Sequence, residues 1–233
     1  MRRAFVVDWD DSLRIKYSAL DWVHFIEGRQ QFNGEAYSAF TQAVAAYRAK
    51  SLPYDEFVQR YAEVYAQGVQ GVLHTDLQAS ATAFVELEQE RLASFTLELL
   101  RYCDAENIEV IVLSGSPELV LSTFFADHNI KRLSGVKLSI DANGYYTGQL
   151  EESRSGGASY KRDYVNALRN DYDFLYGIGD SPSDVEFLKR CDVGFIVGSK
   201  VGAWRVRKLE RVYHNTKFEH LQRIMEGLTP RLD

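Results

Sequence analysis

The chain of 233 residues has little cysteine and no excess of positive charge. Its two cysteines, Cys103 and Cys191, cannot build a disulfide framework, so we expect free thiols in a reducing compartment. The 33 acidic and 27 basic side chains give a formal net charge of -6, which argues against a protein that coats nucleic acid. Apolar residues make up 45% of the chain, a share typical of globular rather than disordered proteins.

Long apolar runs are also absent. No stretch of 18 apolar residues occurs, so we expect no membrane-spanning helix. The apolar stretch near the N-terminus is interrupted by Asp8, which comes too early for a signal peptide. We therefore expect a cytoplasmic protein whose partners include neither membrane nor nucleic acid; its oligomeric state is left open.

Short apolar runs alternate with helical patterns along most of the chain. The apolar runs suit buried parallel strands and lie at residues 4–7, 110–113, 174–178 and 193–197, with a last short strand at 212–214. The helical patterns lie at roughly 94–106, 117–128, 160–170 and 184–191, and a closing helix follows residue 214. This alternation predicts an α/β fold with a doubly wound, Rossmann-like parallel sheet.

The segment from 14 to 95 has no convincing strand. Its aromatic and apolar residues repeat at helical spacing, as in Phe57, Tyr61 and Val64. About 80 helical residues are too many for a simple crossover between strands. We predict an inserted helical domain at 14–95 and a core made of residues 1–13 and 96–233.

An Asn143-Gly144 pair between alternating apolar residues predicts a β-hairpin over residues 136–148. The turn needs residues that accept positive φ, and asparagine followed by glycine supplies them. We expect a surface ribbon without chemistry, which is the commoner situation for such a hairpin.

Acidic residues cluster where two of the predicted strands end. Asp8 and Asp10 follow the first strand, and Asp180 and Asp184 follow the third. Ligands bind at the carboxyl ends of strands in open α/β sheets, and carboxylates there are costly unless a cation neutralises them. Mg²⁺ prefers such oxygen ligands. A metal site is one interpretation; acidic strand-to-helix turns and helix caps are the other.

Small polar residues end the second predicted strand, and a lysine follows later. Ser114 and Gly115 precede a predicted helix whose free N–H groups suit a phosphate, although Ser116 could simply be its N-cap. Lys161 would supply positive charge, although a solvated surface lysine is the commoner situation. Arg162, beside it, is an alternative cation.

The order of these elements resembles the haloacid dehalogenase superfamily of aspartyl-nucleophile hydrolases. The residues that carry the resemblance are Asp8, Asp10 and Ser12, then Ser114, then Lys161, then Gly179, Asp180 and Asp184. The inserted helices resemble the helical cap of the phosphoserine-phosphatase-like subgroup. Gly144, Thr147 and Gly148 match a Gly-x-x-Thr-Gly stretch common in that subgroup.

The resemblance implies a Mg²⁺-dependent phosphatase acting on a small phosphorylated metabolite. Asp8 is the implied nucleophile, which forms an aspartyl-phosphate, and Asp10 the implied general acid and base. The implied metal ligands are the Asp8 carboxylate, the Asp10 backbone carbonyl and Asp180, with Asp184 as a further ligand or a support. The implied phosphate ligands are Ser114, the Gly115 N–H and Lys161.

Two other functions use the same residues. A phosphotransferase or mutase would pass the phosphoryl group to an acceptor other than water. A non-catalytic scaffold would only bind a phosphorylated ligand, but such a protein would typically lack Asp8 or Asp10.

The segment that follows the first motif bears on the substrate. Members that act on phosphoserine carry a glutamate there, and residues 14–22 contain none, which argues against phosphoserine. Tyr17 and Trp22 would instead form an aromatic wall for a larger or less polar leaving group, or else pack within the cap. The sequence leaves both alternatives open.

Overall fold

A parallel sheet of six strands lies at the centre of the fold. The computed structural model describes residues 1–126, 128, 130, 132–151, 157–198, 201, 206, 209–214 and 217–228. Its strands are β1 (Arg3–Val7), β2 (Ile108–Pro117), β3 (Arg132–Val136), β4 (Leu138–Ile140), β5 (Tyr146–Leu150), β6 (Phe174–Gly179), β7 (Val193–Ile196) and β8 (Val212–His214). The main sheet has the order β3-β2-β1-β6-β7-β8 with every neighbouring pair parallel, and β4 and β5 form a separate antiparallel hairpin.

Helices lie in two groups along the chain. The first group, between β1 and β2, is α1 (Ser18–Gly28), α2 (Gly34–Arg48), α3 (Tyr54–Gly68), α4 (His74–Glu88) and α5 (Thr96–Ala105). The second group is α6 (Glu118–Phe124), α7 (Ala158–Leu168), α8 (Val185–Leu188) and α9 (Phe218–Leu228). None of the helices in the described ranges is long and apolar enough to cross a bilayer.

Helices cover both faces of the main sheet. Phe5 and Val7 of β1 pack into a cluster with α5, α6 and α9, whereas Ala4 and Val6 pack into a second cluster with α7 and α8. Successive strand residues point to opposite faces, so a strand buried on both sides must be apolar throughout. The predicted doubly wound α/β fold is confirmed, and the five strand runs on which the prediction rested are strands.

One strand of the main sheet was missed by the sequence reasoning. β3 pairs with β2 at the edge of the sheet, and only its last three residues are buried. Its apolar signal is therefore weak, and Val136 was assigned to the hairpin instead. The helix predicted at 117–128 is also shorter, because β2 continues to Pro117 and α6 begins at Glu118.

The insertion between β1 and α5 is helical, as predicted. Helices α1 to α4 share an apolar core around Trp22, Phe40 and Phe84, each almost completely buried. The side chain of Asn33 caps α2 by accepting hydrogen bonds from the Glu35 and Ala36 N–H groups. We call helices α1 to α4 the cap; the limits 14 and 95 stay a prediction.

The hairpin exists, but it is not an independent surface ribbon. The N–H of Gly71 in the cap donates to the Tyr146 carbonyl, and the N–H of Tyr146 donates back to Val72. The His74 N–H, at the start of α4, donates to the Gly144 carbonyl. The β4–β5 hairpin therefore extends the cap, and none of its residues lines the cavity described below.

A buried arginine joins the two segments that connect the cap to the core. Arg14 is fully buried, and its guanidinium donates to Glu88 at the end of α4 and, at 2.6 Å, to Asp21 in α1. The two connecting segments also pair directly, because the Ile15 N–H donates to the Arg91 carbonyl. Arg14 thus fixes both connections at once.

We expect Arg14→Met to destabilise the protein by about 3–5 kcal/mol, because it leaves the Glu88 carboxylate buried without its closest cation. Urea unfolding measures the change. The matched control is Arg29→Met at the exposed end of α1, where the guanidinium lies 5.3 Å from the centre of the Phe25 ring. The control substitution should lower the free energy of unfolding by less than about 1 kcal/mol. Equal losses in the two variants would refute a special role for Arg14.

Candidate active site

Three neighbouring strands bring the predicted site residues to one edge of the sheet. Asp8 follows β1, Ser114 lies near the end of β2, and Asp180 follows β6. Because β1 lies between β2 and β6 and all three are parallel, their carboxyl ends meet. The cap covers this edge and leaves a cavity of about 310 Å³. Its described lining residues are Asp8, Asp10, Tyr17, Ala19, Leu20, Tyr47, Tyr54, Phe57, Val58, Tyr61, Ser114, Gly115, Lys161 and residues 180–184.

A buried lysine joins two of the carboxylates. The Lys161 Nζ donates to Asp8 Oδ1 at 2.6 Å and to Asp184 Oδ1 at 2.7 Å. The other Asp8 oxygen accepts a hydrogen bond of 2.9 Å from the Ser12 hydroxyl. Lys161 comes from α7 and is 2% exposed, whereas Arg162, the next residue of the same helix, is only partly buried and does not line the cavity. The structure therefore places Lys161, not Arg162, in the cavity.

The loop after β6 holds Asp184 in place. Its second oxygen accepts hydrogen bonds from the Ser181 N–H at 3.0 Å and the Ser181 hydroxyl at 2.6 Å. A side chain at Gly179 would meet Asp184 Cβ at 2.4 Å, so this close packing requires glycine. Burial opposes ionisation of Asp184, but Lys161 and the Ser181 donors hold its pKa below the usual value. Asp184 is therefore a fixed anion.

The carboxylates fit a divalent cation. Oxygens of Asp8, Asp180 and Asp184 all lie within 4.8 Å of one another, and all three residues are buried. With Lys161 as the cation between them, two unit negative charges are left to neutralise. Burial and the neighbouring carboxylates raise the pKa of Asp8 despite Lys161, so its ionised form requires more positive charge. An all-oxygen donor set with this charge suits Mg²⁺.

Asp10 lies apart from this cluster and faces the cap. One carboxylate oxygen accepts from the Ser18 N–H at 2.7 Å, and the other accepts from the Ser116 hydroxyl at 2.5 Å. Ser18 begins α1, so its N–H is free of the helical ladder. Burial raises the pKa of Asp10, and the hydrogen bonds from Ser116 and Ser18 only partly oppose it. The pKa of Asp10 is therefore raised on balance, a direction that favours proton exchange.

Sequence reasoning missed the two serines that position Asp10. Ser116 looked like an N-cap, but β2 runs through it and its hydroxyl reaches Asp10 instead. Residues two apart in a strand lie on one face, so extending the strand to residue 117 would have placed Ser116 beside Ser114. Ser18 has no comparable signal in the sequence.

The two aromatic residues predicted near the substrate have different places. Tyr17 lines the cavity. Trp22 is fully buried in the cap, where it donates to the Tyr65 hydroxyl at 3.1 Å and packs against Phe84. Among the described residues, Trp22 is therefore cap core rather than cavity wall. Sequence reasoning missed four other aromatic lining residues, because helical spacing does not show which side of the cap faces the core: Tyr47, Tyr54, Phe57 and Tyr61.

Comparisons with known proteins agree with this arrangement. Residues 5–189 match the family model of the haloacid dehalogenase-like hydrolases. No curated protein matches the sequence.

Solved structures share the fold at low identity. A protein of unknown function from Bordetella pertussis Tohama I superposes with a TM-score of 0.73 at 16% identity, covering 93% of this chain and 100% of that one. A phosphoserine phosphohydrolase-like protein from Francisella tularensis superposes with a TM-score of 0.65 at 14% identity, covering 96% of this chain and 99% of that one. A phospho-aspartyl intermediate analogue of a phosphoserine phosphatase superposes with a TM-score of 0.63 at 10% identity, covering 98% of this chain and 99% of that one. At these identities the likeness concerns the fold alone.

Proposed function

Because the chain belongs to the haloacid dehalogenase-like hydrolase family, we propose that it is a Mg²⁺-dependent phosphatase that acts on a small phosphorylated metabolite. The observation that carries the proposal is the Asp8 carboxylate on the cavity wall, bound to Lys161 within a cluster of three buried carboxylates. The phosphoserine phosphatases among the structural neighbours have the same fold, which adds support.

In the proposed reaction, a carboxylate oxygen of Asp8 bonds to phosphorus as the bond from phosphorus to the ester oxygen breaks. Asp10 gives its proton to the departing alkoxide. Asp10 then takes a proton from the water that attacks the aspartyl-phosphate, which releases inorganic phosphate and restores Asp8. The hydrogen bonds from Ser18 and Ser116 keep Asp10 oriented for both transfers.

Cationic and neutral donors would hold the phosphoryl group. Lys161 supplies an ammonium group, and Ser114 and the Gly115 N–H supply neutral donors on the same cavity. Asp8, Asp180 and Asp184 would hold Mg²⁺, with the Asp10 backbone carbonyl as a further ligand. When bound, Mg²⁺ supplies positive charge that offsets the repulsion between the Asp8 carboxylate and a phosphate dianion.

The proposal is tested by phosphate release from a panel of phosphomonoesters, with Lys161→Met as the diagnostic variant. We expect Lys161→Met to lower kcat/KM by about 100- to 1000-fold, because one preorganised donor to the developing charge is lost. The matched control is Arg162→Met on the same helix, whose exposed guanidinium bonds to Asp163. It should retain activity within about threefold. Equal effects of the two substitutions would contradict the assignment of Lys161.

A further inference from the structure

The cap side of the active-site cavity is an aromatic pocket. Five of its described lining residues carry aromatic rings: Tyr17, Tyr47, Tyr54, Phe57 and Tyr61. Ala19, Leu20 and Val58 complete this side. The charged lining residues in the described ranges are the aspartates and the lysine of the proposed phosphate and metal site. The described cap therefore offers a leaving group no counter-ion.

Ring stacking holds three of the aromatic side chains of this pocket in place. Tyr47 stacks on Phe57 with centroids 4.6 Å apart and planes at 12°. Tyr61 stacks on Tyr65, one turn later in α3, with ring centroids 5.9 Å apart and planes at 1°. Rings fixed in this way present flat apolar faces, which favour another aromatic ring. The volume of about 310 Å³ lies at the lower end of the range of small-molecule pockets, about 300–1,000 Å³.

Tyr61 differs from its neighbour in one respect. The Tyr65 hydroxyl accepts a hydrogen bond from Trp22, but no described residue supplies a partner for the Tyr61 hydroxyl, although Tyr61 is only 3% exposed. Burial raises the pKa of Tyr61, and Tyr65 and Asp10 raise it further, so the hydroxyl stays a donor. A buried hydroxyl without a partner is costly. A polar atom of the substrate would satisfy it.

We propose that the cap side of the cavity binds the leaving alcohol of a phosphate monoester whose alcohol is uncharged and carries an aromatic ring, and that the Tyr61 hydroxyl hydrogen-bonds to a polar substituent on that alcohol. This inference rests on the proposed phosphatase function. It goes further because it assigns the leaving group a chemical class and Tyr61 the role of selecting within that class.

A zwitterionic leaving group is disfavoured by the same surface. The ammonium and carboxylate of phosphoserine would lose water against aromatic rings and gain no opposite charge from the described cap residues. A cationic group without a carboxylate, above all a quaternary ammonium, is the charged alternative that aromatic faces bind well. It is therefore included as an outcome of the test.

The first experiment compares esters of primary alcohols, so that the intrinsic reactivities of the leaving groups are similar. The probes are benzyl phosphate, O-phosphoserine, phosphoethanolamine and phosphocholine. We expect kcat/KM for benzyl phosphate to exceed that for phosphoserine by at least about 100-fold. Preference for any of the other three, with activity lost in Asp8→Asn, would overturn this inference and leave the phosphatase function standing. Absence of Asp8-dependent release from every ester would instead overturn the proposed function.

The second experiment tests Tyr61 through a selectivity ratio. The three (hydroxymethyl)benzyl phosphate isomers, which carry a neutral polar substituent and do not lose phosphate spontaneously, are compared with benzyl phosphate, and we expect the wild type to prefer at least one isomer by about tenfold, as one good hydrogen bond allows. Tyr61→Phe should bring this ratio close to one.

The matched control is Tyr65→Phe, which removes a hydroxyl from the same helix outside the cavity and should keep the ratio. A general weakening of the cap would lower the selectivity ratio to the same extent in Tyr61→Phe and in Tyr65→Phe. No preferred isomer in the wild type, a ratio that survives Tyr61→Phe, or an equal loss in Tyr65→Phe would each refute the role of Tyr61.

Discussion

Asp8→Asn is expected to lower phosphate release by at least about 10⁴-fold while the protein stays folded. The side-chain amide has nearly the shape of the carboxylate but lacks the charged oxygen that attacks phosphorus, so no aspartyl-phosphate forms. Loss of a nucleophile removes the whole pathway rather than one contribution to it, which is why the expected effect is so large. Steady-state phosphate release measures the activity, and circular dichroism and thermal unfolding report the fold.

The chain offers a close control for this substitution. Asp11 lies in the same loop, but its carboxylate accepts a hydrogen bond from the Lys16 N–H at 2.6 Å and does not line the cavity. Its φ of 58° is one that asparagine accepts readily, so Asp11→Asn adds no backbone strain. Asp11→Asn should retain activity within about threefold. Turnover of any ester by Asp8→Asn at the wild-type rate would exclude Asp8 as the nucleophile.

Removal of Mg²⁺ by exhaustive chelation is expected to stop turnover, with a fall of at least about 1000-fold, and added Mg²⁺ is expected to restore it. Three buried carboxylates around one lysine leave an excess of negative charge, which opposes the approach of a phosphate dianion. A bound divalent ion neutralises this local charge and contributes several kcal/mol to transition-state stabilisation. Undiminished turnover without the metal would contradict its proposed role.

Stability gives a second measurement that does not depend on activity. A ligand present at 100 times its Kd stabilises the folded state by about 2.7 kcal/mol, so Mg²⁺ should raise the unfolding temperature. Asp180→Asn removes one carboxylate of the cluster and should weaken this effect. Asp163→Asn removes an exposed carboxylate beside Arg162 and should leave it unchanged. An equal Mg²⁺ effect in both variants would mean that Asp180 does not bind the metal.

The strand ends were predictable because backbone geometry fixes them. A short apolar run such as β1 must be buried on both faces of a parallel sheet, and the residue after it must then lie at the carboxyl edge. Asp8, Ser114 and Asp180 consequently meet in the structure where their positions in the sequence require. The edge strand β3 escaped prediction because half-exposed residues give little apolar signal.

Contacts across the cap were not predictable in the same way. Helical spacing in α3 shows that one face is apolar, and Tyr61 and Tyr65 share that face. Only the packing of the cap shows that Tyr61 lines the cavity whereas Tyr65 contacts Trp22 in the cap core. The choice between Lys161 and Arg162 likewise depended on how α7 is rotated against the sheet.

The sequence by itself determined the fold class, the helical insertion and the set of polar residues at the strand ends, because these follow from periodicity and from the direction of parallel strands. Tertiary structure alone decided which cation, Lys161 or Arg162, enters the site, which serines hold Asp10 and which rings line the cavity. These depend on helix rotation and on packing between segments far apart in the chain, such as Ser18 with Ser116. Local patterns do not encode the relative orientation of such segments.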